Sequence, residues 1–324
     1  MITGIVASWP TSVRDSDGPT NWNPVPPANI PVLTGFSFNT IATNGTGTWI
    51  AAGRQGSSGQ IVRSFDDTSN WSAINDPNTS TGTNLIRWVN DAFYGFTYNR
   101  PTAVLRSVDG VSWASYATST GVNGYVWEVR VDPNNTNRIW LVCSDGLRLS
   151  SNGMAGPWSN VTGAIFNFTP KDLITDGAGN WLCVGGSSND QAPGRYMTST
   201  NNGLAWSAVT TLDSGSGARF DCTARSATHW VIGSNNRIWY STDMTTWASV
   251  PVTGLIASLA YNPADGSFVG AQGSQTPVVS RDSITTWKSV AVPGQTYTYT
   301  DIAYSSDKWV IVGTSIVIAN VAKG

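Results

Sequence analysis

Glutamate is almost missing from this chain. Glu128 is the only one, lysine occurs four times, and His229 is the sole histidine. Charged residues make up 12% of the sequence, about half the usual ~25%. Lys plus Arg number 18 against 20 Asp plus Glu, so neither a nucleic-acid footprint nor a polyacidic partner is indicated. With so few charges the surface must be Ser, Thr, Asn and Gly. Such a surface is unusual for a cytosolic enzyme and suits extracellular or virion-exposed β proteins. Cysteine is scarce too: Cys143, Cys183 and Cys222. All three stand in strand-like runs. Their odd number and lack of paired spacing argue against a disulfide framework and a zinc site, and predict buried thiols. No stretch approaches the ~20 apolar residues of a membrane-spanning helix. Met1–Ala7 has no basic segment and too short an apolar run for a secretory signal. His229 has no Ser or Asp at an evident spacing, which predicts a hydrogen-bonded turn residue. No helical periodicity is sustained.

What the chain has in plenty is tryptophan, 16 residues in all, and a stretch that recurs. Arg106-Ser107-Val108-Asp109-Gly110-Val111-Ser112-Trp113 returns with slips of a residue along the whole length. Ser64, Asp66 and Trp71 repeat its order, as do Ser199, Asn201, Gly203 and Trp206. Ser241, Asp243 and Trp247 follow, then Ser280, Asp282 and Trp287. Weaker copies are Asn152 with Trp158, and Asp17 with Trp22. Each well-formed copy lies between two short apolar runs, which reads as a hairpin. In the turn the Asp or Asn accepts backbone N–H bonds, and the Trp folds over the hairpin. A buried Trp removes roughly 150–250 Å² from water. At ~25 cal/mol per Å² that is at most about 4–6 kcal/mol per copy before entropy. Successive tryptophans are spaced by 49, 42, 45, 48, 41 and 40 residues. Units of that length with four strand-like runs are the signature of propeller blades.

The turn resembles the Asp-box, or bacterial-neuraminidase repeat, of sialidase-like β-propellers, roughly Ser-x-Asp-x-Gly-x-x-Trp. Ser107–Trp113 is one residue short of that pattern, and Ser64–Trp71 lacks the Gly. The copies cover nearly the whole chain. The resemblance implies structural roles for Asp17, Asp66, Asp109, Asn152, Asn201, Asp243 and Asp282, usually far from any active site. The expected fold is all-β: a single seven-bladed propeller of four-stranded antiparallel blades, one domain over residues 1–324. The Pro-rich segment of about 1–35 carries a box without a preceding three-strand unit. Tyr297–Ala303, Lys308–Gly313 and Ser315–Asn320 give three strands without a following box. Trp22-Asn23-Pro24-Val25 is therefore expected to pair with the C-terminal strands, closing the ring and removing open edges.

Two constellations are candidates for binding. Aligning the innermost strands puts Thr40, Arg87, Glu128, Asp172, Asp221, Ser258 and Asp301 toward the central channel. Four acids and one Arg there suit a cation or a small polar ligand, with one carboxyl raised by like charge. The face opposite the boxes carries Arg54, Tyr98, Arg100, Asp190, Arg195 and Gln272 on expected loops, suited to sugar hydroxyls or acids. Trp88 and Trp127, outside the boxes and in adjacent inner strands, are candidates to flank the channel mouth, with core packing the favoured reading.

The Arg-Ile-Pro signature of sialidases is absent, and Glu128 has no evident Tyr partner, so their catalytic set is not carried over. Asp-box xyloglucanases use two Asp residues as acid and base, usually on tandem propellers. This chain has room for one. The expected function is a non-catalytic structural or recognition propeller. A surface of extracellular character without a secretion signal or disulfides points to a phage virion component: a tail, baseplate or capsid-associated adaptor or adsorption protein. It would fold in the host cytoplasm and sit in a multi-subunit assembly, with virion proteins and cell-surface glycan as partners. No cofactor, metal, nucleic acid or membrane insertion is implied. The alternative is a lectin or a sialidase-like glycoside hydrolase.

Overall fold

A computed structural model describes residues 19, 21–32, 35–65, 68–74, 82–97, 104–116, 120–122, 124–161, 169–186, 193–215, 218–273, 276–281, 284–293, 297–305 and 307–320. Its regular structure is antiparallel strand, apart from one short 3-10 turn at Pro27–Asn29. Most repeats fold as a four-strand meander. The second strand is the most deeply buried, as Trp181–Gly186 and Lys308–Gly313 show. Trp49, Phe93, Trp140, Trp181 and Trp309 begin or sit in these strands and are essentially inaccessible. Their rings fill the gaps between neighbouring sheets: Trp140 packs on Trp181 of the next sheet at 5.4 Å.

The expectation of seven four-stranded blades is corrected by the strand pairing. The described residues form six hydrogen-bonded sheets, five of four strands and one of six. By that criterion the propeller has six blades. The cause is Ala248–Asn262, fifteen residues of uninterrupted strand. Its first part pairs with Trp230–Ser241, from Tyr240↔Ala248 to Asn235↔Leu255, and its second part with Ser267–Gln272, from Ile256↔Gln272 onward. Elsewhere an outer strand and the next inner one are separate strands of two sheets, as Ser72–Ile74 and Thr83–Val89 are. Here the ladder slips between Arg237↔Pro251 and Asn235↔Leu255, Gly254 donates to Asn236 Oδ1 at 2.8 Å across the slip, and the strand runs on without a break. Two repeat units are thereby fused. Seven strand segments still line the axis, the second half of Ala248–Asn262 among them.

Ring closure follows the expected route. Trp22–Pro24 pairs with Ile316–Asn320 in the register Trp22↔Ala319, Asn23↔Ile318, Pro24↔Val317. Val25 extends the pairing by donating to Ile316 O at 2.9 Å. Trp22 is fully buried and its indole N–H reaches Pro19 O at 2.9 Å. A tertiary contact thus holds a short strand that could not persist alone.

The turns at Asp109, Asn201 and Asp243 share one geometry. In 107–113, Ser107 Oγ donates to Asp109 Oδ1 at 3.0 Å, and Val111 and Ser112 donate their N–H to the same oxygen at 2.8 and 2.9 Å. Gly110 N–H donates to Ser107 Oγ, and Trp113 Nε1 to Gly110 O. The 241–247 turn repeats each bond with Asp243 and Met244. Asn201 plays the same part with Ser199 and Ala205. Asn152 departs from the scheme, donating its side-chain amide to Gly156 O. The residue three before the Trp sits in the left-handed region: Thr68, Gly110, Gly203, Met244 and Ile284. Backbone N–H donors hold the Asp109 and Asp243 carboxyls below the usual range. Asp17, Asp66 and Asp282 lie outside the described residues.

Candidate functional site in the axial channel

The channel is shaped by a defect shared by every inner strand segment. The ladder to the second strand slips at one place in each: Phe38/Thr40, Thr83/Leu85, Val126/Glu128, Pro170/Asp172, Phe220/Cys222, Ile256/Ser258 and Tyr299/Asp301. A bulge of this kind inserts one unpaired residue and re-aims its neighbours. The structural register is therefore set by the residue after the slip: Thr40, Leu85, Glu128, Asp172, Cys222, Ser258, Asp301. Five of the seven residues expected to share a level do so. Arg87 lies two residues further along its strand, and Asp221 is itself the bulged residue.

All five charged candidates line one cavity of about 880 Å³. Arg87 is its hub. Nε and Nη2 make a two-pronged contact with Glu128 at 2.8 and 2.9 Å, while Nη1 reaches Asp301 Oδ2 at 2.9 Å. Asp301 accepts further bonds from Thr40 Oγ1, Ile41 N, Ser258 Oγ and Ile302 N. One carboxylate from the last inner strand thus ties together the first, the second and its neighbour in the fused sheet. Arg130 repeats the arrangement one step around. It donates from Nη2 to Asp172 at 2.9 Å and from Nε to Leu173 O at 2.7 Å, with Glu128 at 3.6 Å. Asp172 in turn accepts from Thr223 N and Oγ1 at 2.7 and 2.8 Å. Asp221 pairs with Arg219 at 2.9 Å.

Burial works against the charge on Arg87, but Asp301 and Glu128 outweigh it, and the guanidinium is held above its ordinary value. Burial likewise opposes the charge on Glu128, and Arg130 and Arg87 reverse that, keeping its carboxyl low. At Asp172 burial prevails over Arg130 and raises the carboxyl. The carboxylates point into protein, at 6–8% side-chain exposure for Glu128, Asp172 and Asp301, whereas Arg130 is 31% exposed. No group of three or more His, Cys, Asp or Glu is placed to hold a metal ion among the described residues.

Arg130, Lys171 and Thr223 belong to this cluster and were missed. Arg130 was visible in the alternation Glu128-Val129-Arg130, since residues i and i+2 share a strand face. The ammonium of Lys171 lies 3.5 Å from the Trp127 ring centre, and Tyr125 stacks on the same indole at 5.0 Å. Trp88 packs edge-on against Phe93. Of the other face, Tyr98, Arg100 and Asp190 lie outside the described residues. Arg54 and Arg195 stand in strands, Thr48–Gln55 and Gly194–Ser199, of sheets that are not neighbours, and the structure does not bring them together. Gln272 ends a strand and donates to Thr253 O. His229 sits in a turn with Nδ1 2.9 Å from Thr228 Oγ1. The three cysteines are buried free thiols, with burial raising Cys143, Cys183 and Cys222.

No family model matches the sequence, and no curated protein matches it. Solved structures do match in shape. Ycf48 from Cyanidioschyzon merolae superimposes with a TM-score of 0.63 at 17% identity, over 93% of this chain and 98% of that one. Ycf48 bound to a D1 peptide gives 0.68 at 16%, over 93% and 96%. A xyloglucanase of glycoside hydrolase family 74 from Xanthomonas campestris gives 0.63 at 17%, over 92% of this chain and 53% of that enzyme. The likeness is one of fold. It makes the chain a β-propeller similar to those of Ycf48 and the xyloglucanase, and leaves function to the site.

Proposed function

We propose that this chain is a non-catalytic recognition propeller of the Asp-box type and a component of a phage particle, as a tail, baseplate or capsid-associated adaptor or adsorption protein. The state of three of the four channel carboxylates carries the non-catalytic half. Glycoside hydrolysis needs one carboxyl free to protonate the leaving group and another free to face water or the sugar. Glu128, Asp172 and Asp301 each spend both oxygens on arginine, hydroxyl or backbone N–H donors. They hold neighbouring sheets together and offer no spare acid or base. The Asp-box assignment is supported by the shared bond pattern of the 107–113 and 241–247 turns. The virion half is supported by the low-charge surface, rich in Ser, Thr, Asn and Gly. Stacking of a sugar on Trp127 is disfavoured by Lys171 and Tyr125 against its ring.

The test is protein composition of purified particles made from the genome that encodes the chain. The expected result is the chain at a fixed ratio to the other structural proteins, with no turnover of a chromogenic glycoside panel. Recovery only as free protein in the lysate would overturn the particle assignment. Turnover abolished by Glu128→Gln or Asp172→Asn would overturn the non-catalytic one.

A further inference from the structure

The channel is layered by charge, and its two ends differ. Tyr261 pairs with Phe268, which pairs with Ser280 of a Trp-pinned turn, so the late residues of the inner strands lie at the turn-bearing end. Three residues past the bulge register, and nearest that end, stand Trp88, Arg225, Tyr261 and Tyr304. One residue deeper are Arg87 and Arg130. The carboxylates begin only below them, at Glu128, Asp172 and Asp301. All of these line the same cavity. A ligand entering from this end therefore meets cations and hydroxyls before any acid of the cavity lining.

Arg225 sharpens the point. It forms no ion pair among the described residues. Nη2 makes one long bond to Ala227 O at 3.4 Å, Nε is buried without a partner, and the guanidinium lies 4.8 Å from the Trp230 ring centre. Asp176 acts on it through charge alone, the Asp176 oxygens being engaged by Ala178 and Asn180. Burial lowers all three arginines; at Arg225 it prevails over Asp176, whereas the acids bonded to Arg87 and Arg130 outweigh it. A partly buried cation that no acid bonds directly is costly, and proteins ordinarily pair it. Tyr304 adds a hydroxyl with no hydrogen bond among the described residues. Arg130 spends Nε and Nη2 on protein and has no such bond from Nη1.

We propose that the turn-side mouth of the axial channel binds a small oxyanion, a phosphoryl or carboxylate group, through Arg225, with Tyr304 Oη and Arg130 Nη1 as further donors. This goes beyond the recognition role above, and it uses the end of the ring where the Asp-box resemblance implies only structural turns. Charge-assisted bonds of this type are the strong ones.

The test is calorimetric titration of the full chain in low-salt buffer with inorganic phosphate and, separately, malonate. Saturable binding is expected, weakened about tenfold or more by Arg225→Gln and about threefold by Tyr304→Phe, with the surface variant Asp91→Asn unchanged. Phosphate binding alone assigns the site to a phosphoryl group and malonate alone to a carboxylate; either supports the proposal. No saturable binding of either anion by folded wild-type chain overturns it, as does unchanged affinity in Arg225→Gln. Should that variant fail to fold, the Arg225 Nε–H resonance of the native chain must shift with added phosphate, and a static signal overturns the site. Absence of the chain from phage particles would leave this result untouched.

Discussion

Replacing Asp301 with alanine is expected to cost about 3–5 kcal/mol of unfolding free energy. The residue is buried and accepts five bonds, from Thr40, Ile41, Arg87, Ser258 and Ile302. The two hydroxyls can turn elsewhere; Thr40 Oγ1 already reaches Ile86 O. Arg87 keeps its two-pronged contact with Glu128, so its loss is less than that of a fully orphaned charge. The backbone N–H groups of Ile41 and Ile302 have no such recourse, and each buried unsatisfied donor costs about 1–3 kcal/mol. Those two, with the half-broken ion pair, make up the figure. Urea denaturation followed by tryptophan fluorescence measures it as a shift in midpoint at constant slope. Arg87→Met closes a double-mutant cycle, where the direct contact should appear as a coupling of about 0.5–3 kcal/mol. A loss below about 1 kcal/mol in Asp301→Ala, or additivity within about 0.3 kcal/mol in the cycle, would refute the view that this carboxylate ties the first and last inner strands together.

Three further outcomes follow from the turns. Gly203→Ala should destabilise more than Gly110→Ala. Both force a side chain into the left-handed region at about 1–2 kcal/mol, but the new Cβ at 203 meets the Trp140 ring at 2.5 Å, while at 110 it meets the mobile end of Ile50. Thermal melts read the difference, and equal losses would count against it. Trp247→Phe should cost about 1 kcal/mol more than Trp206→Phe, because Trp247 donates to Met244 O whereas the buried Trp206 Nε1 has no partner among the described residues. Denaturation midpoints of the two variants decide this. Acid stability has a definite sign. Asp109, Asp243 and Glu128 bind protons more weakly folded than unfolded. Their contribution is present above the ordinary carboxyl range and lost as pH falls through their depressed values. Asp172, raised by burial, works in the opposite sense: its contribution is present below its unfolded value and lost as pH rises through the folded one. Asp243→Asn keeps the acceptor, as Asn201 does, and removes one titrating group, so denaturation midpoints should fall less steeply below about pH 4. An unchanged slope would show that the backbone bonds to Asp243 do not bear on stability.

The repeat was legible because it rests on local chemistry. A Ser, an Asp or Asn and a Trp at near-fixed spacing specify a turn whose bonds all close within seven residues. The seam at Trp22 was legible for a different reason: strands left over at one end matched a box left over at the other. What was lost is whatever depends on where the ladder slips or fails to break. The fused strand needed only that pairing resume at Leu255 after Pro251, and a stretch that holds Pro251 and Gly254 reads as a connection until Asn235↔Leu255 is seen.

The bulges had the larger consequence for the site. Strand alternation assigns every second side chain to one face, and each slipped residue shifts that assignment by one for the rest of its strand. Asp221 therefore occupies the bulge instead of the level of Asp172, while Arg87, two residues along its strand and on the same face, donates from above Glu128. Read without the bulge, the channel looks like four acids and one base, which suits a cation. Read with it, the acids fold back onto Arg87, Arg130 and the backbone of the next strand, and the outer layer at the turn-bearing end is left to Arg225 and two tyrosines. The partners the acids bond, more than the level at which they stand, thus change the sign of the ligand proposed for the channel mouth.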